Sequence, residues 1–122
     1  MQTELDYKLP LITVLMTVRN EEKFLTQALV SILESSLKAF ELIVINDAST
    51  DTTSKILEKF SLIDKRIRVF ENSHQIGLAA SLNKAFKYSK GKFIARMDGD
   101  DICHVDRLMF QYKFLIKNPN VD

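Results

Sequence analysis

Three clustered aspartates are the side chains of this sequence whose type and spacing best suit chemistry. Asp98, Asp100 and Asp101 surround Gly99 in a run of four residues. Their like charges repel, and a folded chain tolerates such repulsion mainly when a cation compensates it. Carboxylate oxygens are hard ligands that suit Mg²⁺ or Mn²⁺, and an ion held this way keeps positions open for phosphate oxygens. The cluster therefore predicts a metal or ligand site.

A fourth carboxylate, Asp47, comes directly after an apolar run, in a segment of turn and helix-capping residues (NDASTD, 46–51). Aspartate is also a good loop and N-cap residue, and Asp51 fits that structural role because it precedes a predicted helix. For Asp47 a ligand contact and a structural turn role both stay open. If the preceding strands are parallel, all four carboxylates converge on one rim of the sheet.

The elements that would position these residues alternate along the chain, as the apolar periodicity indicates. The predicted strands are 12–18, 41–45, 67–69 and 93–97, and the predicted helices are 24–33, 52–62, 77–89 and 105–116. This order predicts an α/β fold with three layers, in which helices cover both faces of a mainly parallel sheet. The first strand is β-branched and apolar with little alternation, which indicates a central position, and the alternation in the third strand indicates an edge.

Other side chains receive structural interpretations. Phe110 and Phe114, four residues apart on the last helix, are predicted to lie in the core. Gly91 is predicted to end the third helix in the left-handed conformation. Cys103 lacks a well-placed histidine base, so a catalytic thiol is not expected. A solvent-facing surface is predicted for the lysines of this region, which are Lys84, Lys87, Lys90 and Lys92.

Composition excludes several classes of protein. The 122 residues are 46% apolar, which suffices for one domain over 1–122 with its own core. The 17 basic and 16 acidic residues leave a net charge of +1, so nucleic-acid binding is not expected. No apolar stretch approaches the ~20 residues of a membrane span. With 3 glycines, the sequence contains neither the Rossmann nor the P-loop phosphate-binding motif. With 1 cysteine, it cannot form an internal disulfide.

Five motifs follow one another along the chain. The first four are ITVLMTVRN (12–20), NDASTD (46–51), GLAASLN (77–83) and GKFIARMDGDD (91–101), and the fifth is Arg107, Leu108 and Gln111 in an R-L-x-x-Q pattern. This ordered set resembles a known family, the inverting glycosyltransferases of family two, which have the GT-A fold. The segment 91–101 resembles the strand that leads to the family's D-x-D motif. The resemblance runs from about residue 10 to the end of the chain.

The resemblance implies a truncated GT-A fold, the N-terminal nucleotide-sugar-binding half of the enzyme, with 10–118 as its core. The donor expected from it is a UDP-sugar. The implied nucleotide-sugar-binding residues are Thr17, Arg19, Asn20, Asp47, Asp98, Gly99 and Asp100.

Individual roles also follow from the resemblance. Thr17 and Arg19 would line the base and ribose pocket, and Asp47 would accept a hydrogen bond from the uracil ring. Asp98 would contact the ribose or the metal shell. Asp100 would coordinate the divalent ion, Mg²⁺ or Mn²⁺, that bridges the diphosphate, with Asp101 as a third candidate.

Three departures from the family pattern affect the base pocket. Thr17 stands in place of the usual proline, Arg19 in place of a tyrosine, and Asn46 in place of the first aspartate of a pair. A guanidinium plane can still stack on a base.

The implied reaction is transfer of the sugar, with inversion, to a hydroxyl of a glycan or lipid-linked acceptor. Inversion needs a carboxylate base near the acceptor. In the family that base lies well downstream of D-x-D, whereas only 21 residues follow Asp101 here. We therefore expect no catalytic residue in this chain, and little or no transfer activity from it alone.

Two further expectations concern the location of the protein and a competing interpretation of its fold. A cytoplasmic location is expected, with membrane association of a longer protein left open. The competing interpretation is a response-regulator-like domain or another non-catalytic α/β module that binds metal or phosphate.

Overall fold

The structure, a computed structural model, describes residues 10–120, so the predicted domain 1–122 extends beyond the described residues at both ends. In this part of the chain, strands and helices alternate as predicted, with ends that differ by one or two residues. The elements are β1 (Ile12–Val18), α1 (Leu25–Leu33), β2 (Phe40–Asn46), α2 (Thr53–Ile63), β3 (Ile67–Glu71), α3 (Leu78–Tyr88), β4 (Phe93–Arg96) and α4 (Arg107–Lys117). No helix among residues 10–120 has both the length and the apolar character that crossing a membrane requires.

All strand pairs of the sheet are parallel, and the strand order is β3-β2-β1-β4. The predictions of a central β1 and an edge β3 are therefore confirmed. In the flavodoxin-like order, which response-regulator domains share, the first strand lies between the second and third. Here it lies between β2 and β4, so the response-regulator interpretation is wrong in topology.

Helices cover both faces of the sheet, which confirms the three-layer prediction. Alternate residues of β1 point to opposite faces. On one face, Met16 belongs to a core that includes Leu29 of α1, Leu57 of α2 and Leu108 of α4. On the other face, Leu15, Ile43 and Ile45 pack with Ala85 of α3. The order of the strands reverses between β1 and β4, so the switch point lies where these two strands end side by side.

The prediction for Gly91 is wrong, because it is Gly77 that has a positive φ, 91°. Gly91 is instead required because its backbone lies very close to that of β1. A Cβ atom there would lie 2.4 Å from the backbone nitrogen of Thr13. Its N–H donates to Thr13 Oγ1 at 2.7 Å, and that hydroxyl donates to Glu41 Oε2 at 2.7 Å. These contacts hold the start of β4 against β1.

The core prediction for the two phenylalanines of α4 is also wrong. Phe110 is 76% exposed and Phe114 is 51% exposed, whereas Leu108 is fully buried. Both phenylalanines line an open groove beside Phe93 and Ile94 of β4, so helical spacing identified an apolar stripe but not its exposure.

Substitution of Gly91 by alanine should lower the free energy of unfolding by about 1–3 kcal/mol, because the added methyl group overlaps main-chain atoms. Chemical denaturation measures the change. Lys90→Ala, at an exposed neighbour, is the control and should change stability by less than about 0.5 kcal/mol. An equal effect of both variants would contradict the close-approach explanation.

Candidate functional site

The candidate site lies at the carboxyl ends of β1, β2 and β4, which together form the rim of the sheet. Asp47 follows β2 directly, and its N–H donates to the carbonyl oxygen of Val18 in β1 at 2.8 Å. Asp98 follows β4 by two residues, after Met97, whose N–H donates to Leu15 of β1. Parallel pairing thus brings segments that are far apart in sequence to one edge.

The acidic cluster consists of Asp98, Asp100 and Asp101, all exposed, with one carboxylate oxygen of each within 4.8 Å of the others. Its loop is held locally, since Asp98 N–H donates to Asp101 Oδ2 at 3.0 Å. Arg96 Nη2 contacts Asp98 Oδ1 at 3.3 Å and offsets part of the negative charge. Three solvent-accessible carboxylates at this separation fit the oxygen ligation that Mg²⁺ and Mn²⁺ prefer.

Glu21, which was not among the predicted site residues, extends the negative region. Burial raises the pKa of the Glu21 carboxyl, and the charges of Asp100, Asp51 and Asp98 raise it further. Val18, and to a lesser degree Glu21, explains why residue 99 is glycine. A Cβ at Gly99 would lie 2.6 Å from Val18 Cγ1 and 3.3 Å from Glu21 Cγ.

Asp47 has a different environment, because it is only 6% exposed. Its Oδ1 accepts hydrogen bonds from Ile76 N–H at 2.8 Å and Asn72 Nδ2 at 2.9 Å, and its Oδ2 accepts one from Gly77 N–H at 2.9 Å. Burial alone would raise the pKa of Asp47, but these donors and the charge of Arg19 outweigh it and lower the pKa. Asp47 shares the rim but is not a member of the acidic cluster.

The prediction that Lys84 faces solvent is wrong. Lys84 is partly buried, and its Nζ donates to Asn72 Oδ1 at 2.7 Å. Asn72 Nδ2 also contacts Ser81 Oγ at 3.2 Å, and Ser81 is completely buried. The predicted elements leave Asn72 in a loop, and nothing in the local sequence indicates that it contacts a carboxylate 25 positions away.

The segment after β1 holds the other predicted residues. Thr17 is half-buried and Arg19 is exposed. Asn20, with a φ of 54°, accepts a hydrogen bond from Thr50 N–H through Oδ1 at 2.7 Å. Asn46, which replaces an aspartate of the family motif, donates through Nδ2 to Ser54 Oγ at 2.8 Å. The loops after β1 and β2 are therefore joined by side chains.

Cys103 is buried, at 4% exposure. Burial raises the pKa of its thiol, and the nearby Arg107 opposes that shift only in part. A raised thiol pKa disfavours the thiolate, in keeping with the expectation that Cys103 is not a nucleophile.

Comparisons of this chain with known proteins all lead to one family. The model of the family described as glycosyl transferase family 2 matches residues 13–122. The putative glycosyltransferase EpsE of Bacillus subtilis is 40% identical over 89% of this chain.

Solved structures agree. TarS 1–349 of S. aureus, in complex with UDP-GlcNAc, superposes with a TM-score of 0.80 and 28% identity over 87% of this chain. The mannosyltransferase PcManGT of Pyrobaculum calidifontis, in complex with GDP-Man and Mn²⁺, gives a TM-score of 0.69 and 25% identity over 75%. The chain spans only 40% of EpsE, 31% of the TarS chain and 28% of the PcManGT chain.

Substitution of Asp47 by asparagine should lower the free energy of unfolding at neutral pH by about 1–3 kcal/mol, because buried N–H donors lose a charged acceptor. Since folding lowers the pKa of Asp47, its stabilisation is present above the unfolded pKa of about 4 and is lost as pH falls through the folded value. The difference between wild type and variant should therefore shrink below about pH 4.

Urea denaturation at several pH values measures this effect. Asp106→Asn is a matched control, since Asp106 is exposed and its side chain caps no helix N–H. A constant difference between wild type and Asp47→Asn down to about pH 2 would contradict the role of the charge.

Proposed function

This chain belongs to glycosyl transferase family 2, and from that premise we propose that it is the part of a glycosyltransferase that binds the nucleotide-sugar donor. The observation that carries the proposal is the acidic cluster on the rim, beside the ends of β1 and β2. Ligands of open α/β sheets bind outside the carboxyl ends of the strands, at the switch point. TarS, a neighbour of the same fold, is known in complex with UDP-GlcNAc.

A divalent ion, Mg²⁺ or Mn²⁺, is part of this proposal. Asp100 and Asp98 would hold it, with Asp101 as a third ligand, and the exposure and spacing of their oxygens support the assignment. Bound there, the ion would offset negative charge on the diphosphate of the donor. PcManGT, in complex with GDP-Man and Mn²⁺, supports the choice of metal.

The nucleoside would lie on the β1 and β2 side of the cluster. We assign its base to Asp47, which has unused acceptor capacity on Oδ2, and to Arg19, whose guanidinium plane can stack on a ring. Thr17 and Asn20 complete the proposed pocket beside the ribose, and Gly99 lets the acidic loop pack closely against β1. A UDP-sugar is the proposed donor class.

The reaction proposed for the whole protein is inverting transfer of a sugar to the hydroxyl of a glycan or lipid-linked acceptor. The chain spans at most 40% of the compared proteins, so we place the acceptor site and the general base outside it. Residues 1–122, with 10–118 as core, are then the N-terminal half of the catalytic unit. We propose a cytoplasmic site of action because nucleotide-sugars are supplied there.

Calorimetric titration with UDP and GDP, with and without Mn²⁺, tests the proposal. Binding of UDP should depend on Mn²⁺, and Asp100→Ala should abolish it because the ion loses a charged ligand. Asp106→Ala, at an exposed aspartate outside the cluster, should bind as the wild type does.

Two outcomes would contradict the proposal. One is a folded wild-type chain that binds neither nucleotide in the presence of Mn²⁺. The other is stable phosphorylation by acetyl phosphate without nucleotide binding, which a phosphate-receiving module would show.

A further inference from the structure

A basic cleft lies at the amino ends of the strands, on the opposite edge of the sheet from the rim. Its volume is about 240 Å³, and the charged side chains that line it are Lys65, Arg66, Arg68, Lys90 and Glu41. Because β1 has 7 residues, about 20 Å separates this edge of the sheet from the rim. The basic cleft is therefore distinct from the proposed donor site.

Glu41 is the carboxylate of the basic cleft, and its contacts are structural. It is only 7% exposed, and its Oε1 accepts a hydrogen bond from Arg68 Nη1 at 3.3 Å. Its Oε2 accepts hydrogen bonds from the hydroxyl of Thr13 at 2.7 Å and from the N–H of Lys90 at 2.6 Å. Glu41 thus joins the starts of three strands, β1, β2 and β3, to the segment before β4, and its charge offsets that of one cation.

Two guanidinium groups of the cleft are held in place by the protein itself. Arg66 donates to Asp64 through Nε at 3.0 Å and through Nη2 at 2.8 Å, and it lies 4.2 Å above the ring centre of Phe40. Arg68 lies 5.5 Å from the ring centre of Phe70. A ligand that binds here therefore has less side-chain freedom to restrict than it would on a surface of mobile lysines.

Arg68 also has donors to spare. A guanidinium group carries five N–H donors, and the contacts of Arg68 with residues 10–120 use only Nη1. Its Nε and Nη2 are left for an acceptor. Arginine presents these donors in a fork that matches the oxygens of a phosphate or carboxylate group.

The two lysines supply charge that the protein does not compensate. Lys65 and Lys90 are exposed, and in the part of the chain that the structure describes neither forms an ion pair. The arginines are paired, Arg66 with Asp64 and Arg68 with Glu41. The two ammonium charges therefore stay in excess beside the cleft, where their mutual repulsion favours the binding of an anion.

We propose that the basic cleft is an oxyanion-binding site, and that its ligand is a compact phosphate-bearing group. Arg68 donates to the phosphate oxygens, while Lys65 and Lys90 neutralise their charge. This second site needs neither the nucleotide nor the divalent ion of the rim. A phosphate group on a small molecule and one in an anionic lipid headgroup present the same chemistry to it.

Calorimetric titration of the 122-residue chain with inorganic phosphate tests the proposal. EDTA is present, so that phosphate does not bind at the rim through a metal. We expect a Kd of about 1 mM or lower, which should rise with salt because exposed charges are screened. The double variant Lys65→Gln/Lys90→Gln should bind phosphate about tenfold more weakly, because two ionic contacts are lost.

Lys113→Gln/Lys117→Gln is the matched control, since it removes the same charge from exposed positions of α4. It should bind phosphate within about twofold of the wild type. An equal loss of affinity in both double variants would overturn the proposal, because net charge and not the cleft would then govern binding. Asp100→Ala, at the rim, should bind phosphate as the wild type does.

Sedimentation with lipid vesicles distinguishes the two sources of the phosphate group. Binding to vesicles that contain phosphatidylglycerol, but not to phosphatidylcholine alone, would identify a lipid headgroup if Lys65→Gln/Lys90→Gln abolishes it. Binding of inorganic phosphate without vesicle binding would identify a small molecule. A folded wild-type chain that binds neither would overturn this inference, whereas the proposed function, tested at the rim with Mn²⁺, would stand.

Discussion

Burial of one negative charge, that of Asp47, is the constraint on which the rest of the rim depends. A buried carboxylate without partners would be prohibitively costly, so the chain must supply donors. It does so from the segment between β3 and α3, where Asn72, Ile76 and Gly77 all donate to Asp47. The end of β2, the loop after β3 and the start of α3 are therefore held together by one side chain.

Two kinds of carboxylate site meet on this rim, and different physics governs them. Asp47 is stabilised as an anion by donors of its own chain, which lower its pKa. The acidic cluster is exposed, and its charge raises the pKa of the neighbouring Glu21. The charge of the first site is satisfied by hydrogen-bond donors of the same chain. The second is suited to a cation, which would relieve the repulsion among its members.

Much of this arrangement could be predicted because it depends on local patterns. Apolar runs identified β1 and β2, and like charges in adjacent positions identified the acidic cluster. The failures share a cause, since each concerns which distant segment a residue meets. Lys84 has the sequence environment of a surface lysine, yet it contacts Asn72, and Phe110 has helical spacing typical of a core residue, yet it is exposed. Gly91 follows a helix, but it is glycine because the neighbouring strand β1 lies too close for a side chain, not because a turn requires it.

The loop between β3 and α3 is fixed at both ends and exposed between them. Asn72 at one end and Ile76 and Gly77 at the other bind the same carboxylate, while Ser73, His74 and Gln75 face solvent. Surface loops anchored on a rigid scaffold tolerate substitution and commonly carry specificity. In evolutionary terms, these three positions can change without disturbing the fold. The scaffold can thus acquire new contacts beside the rim while the carboxylate that anchors the loop stays the same.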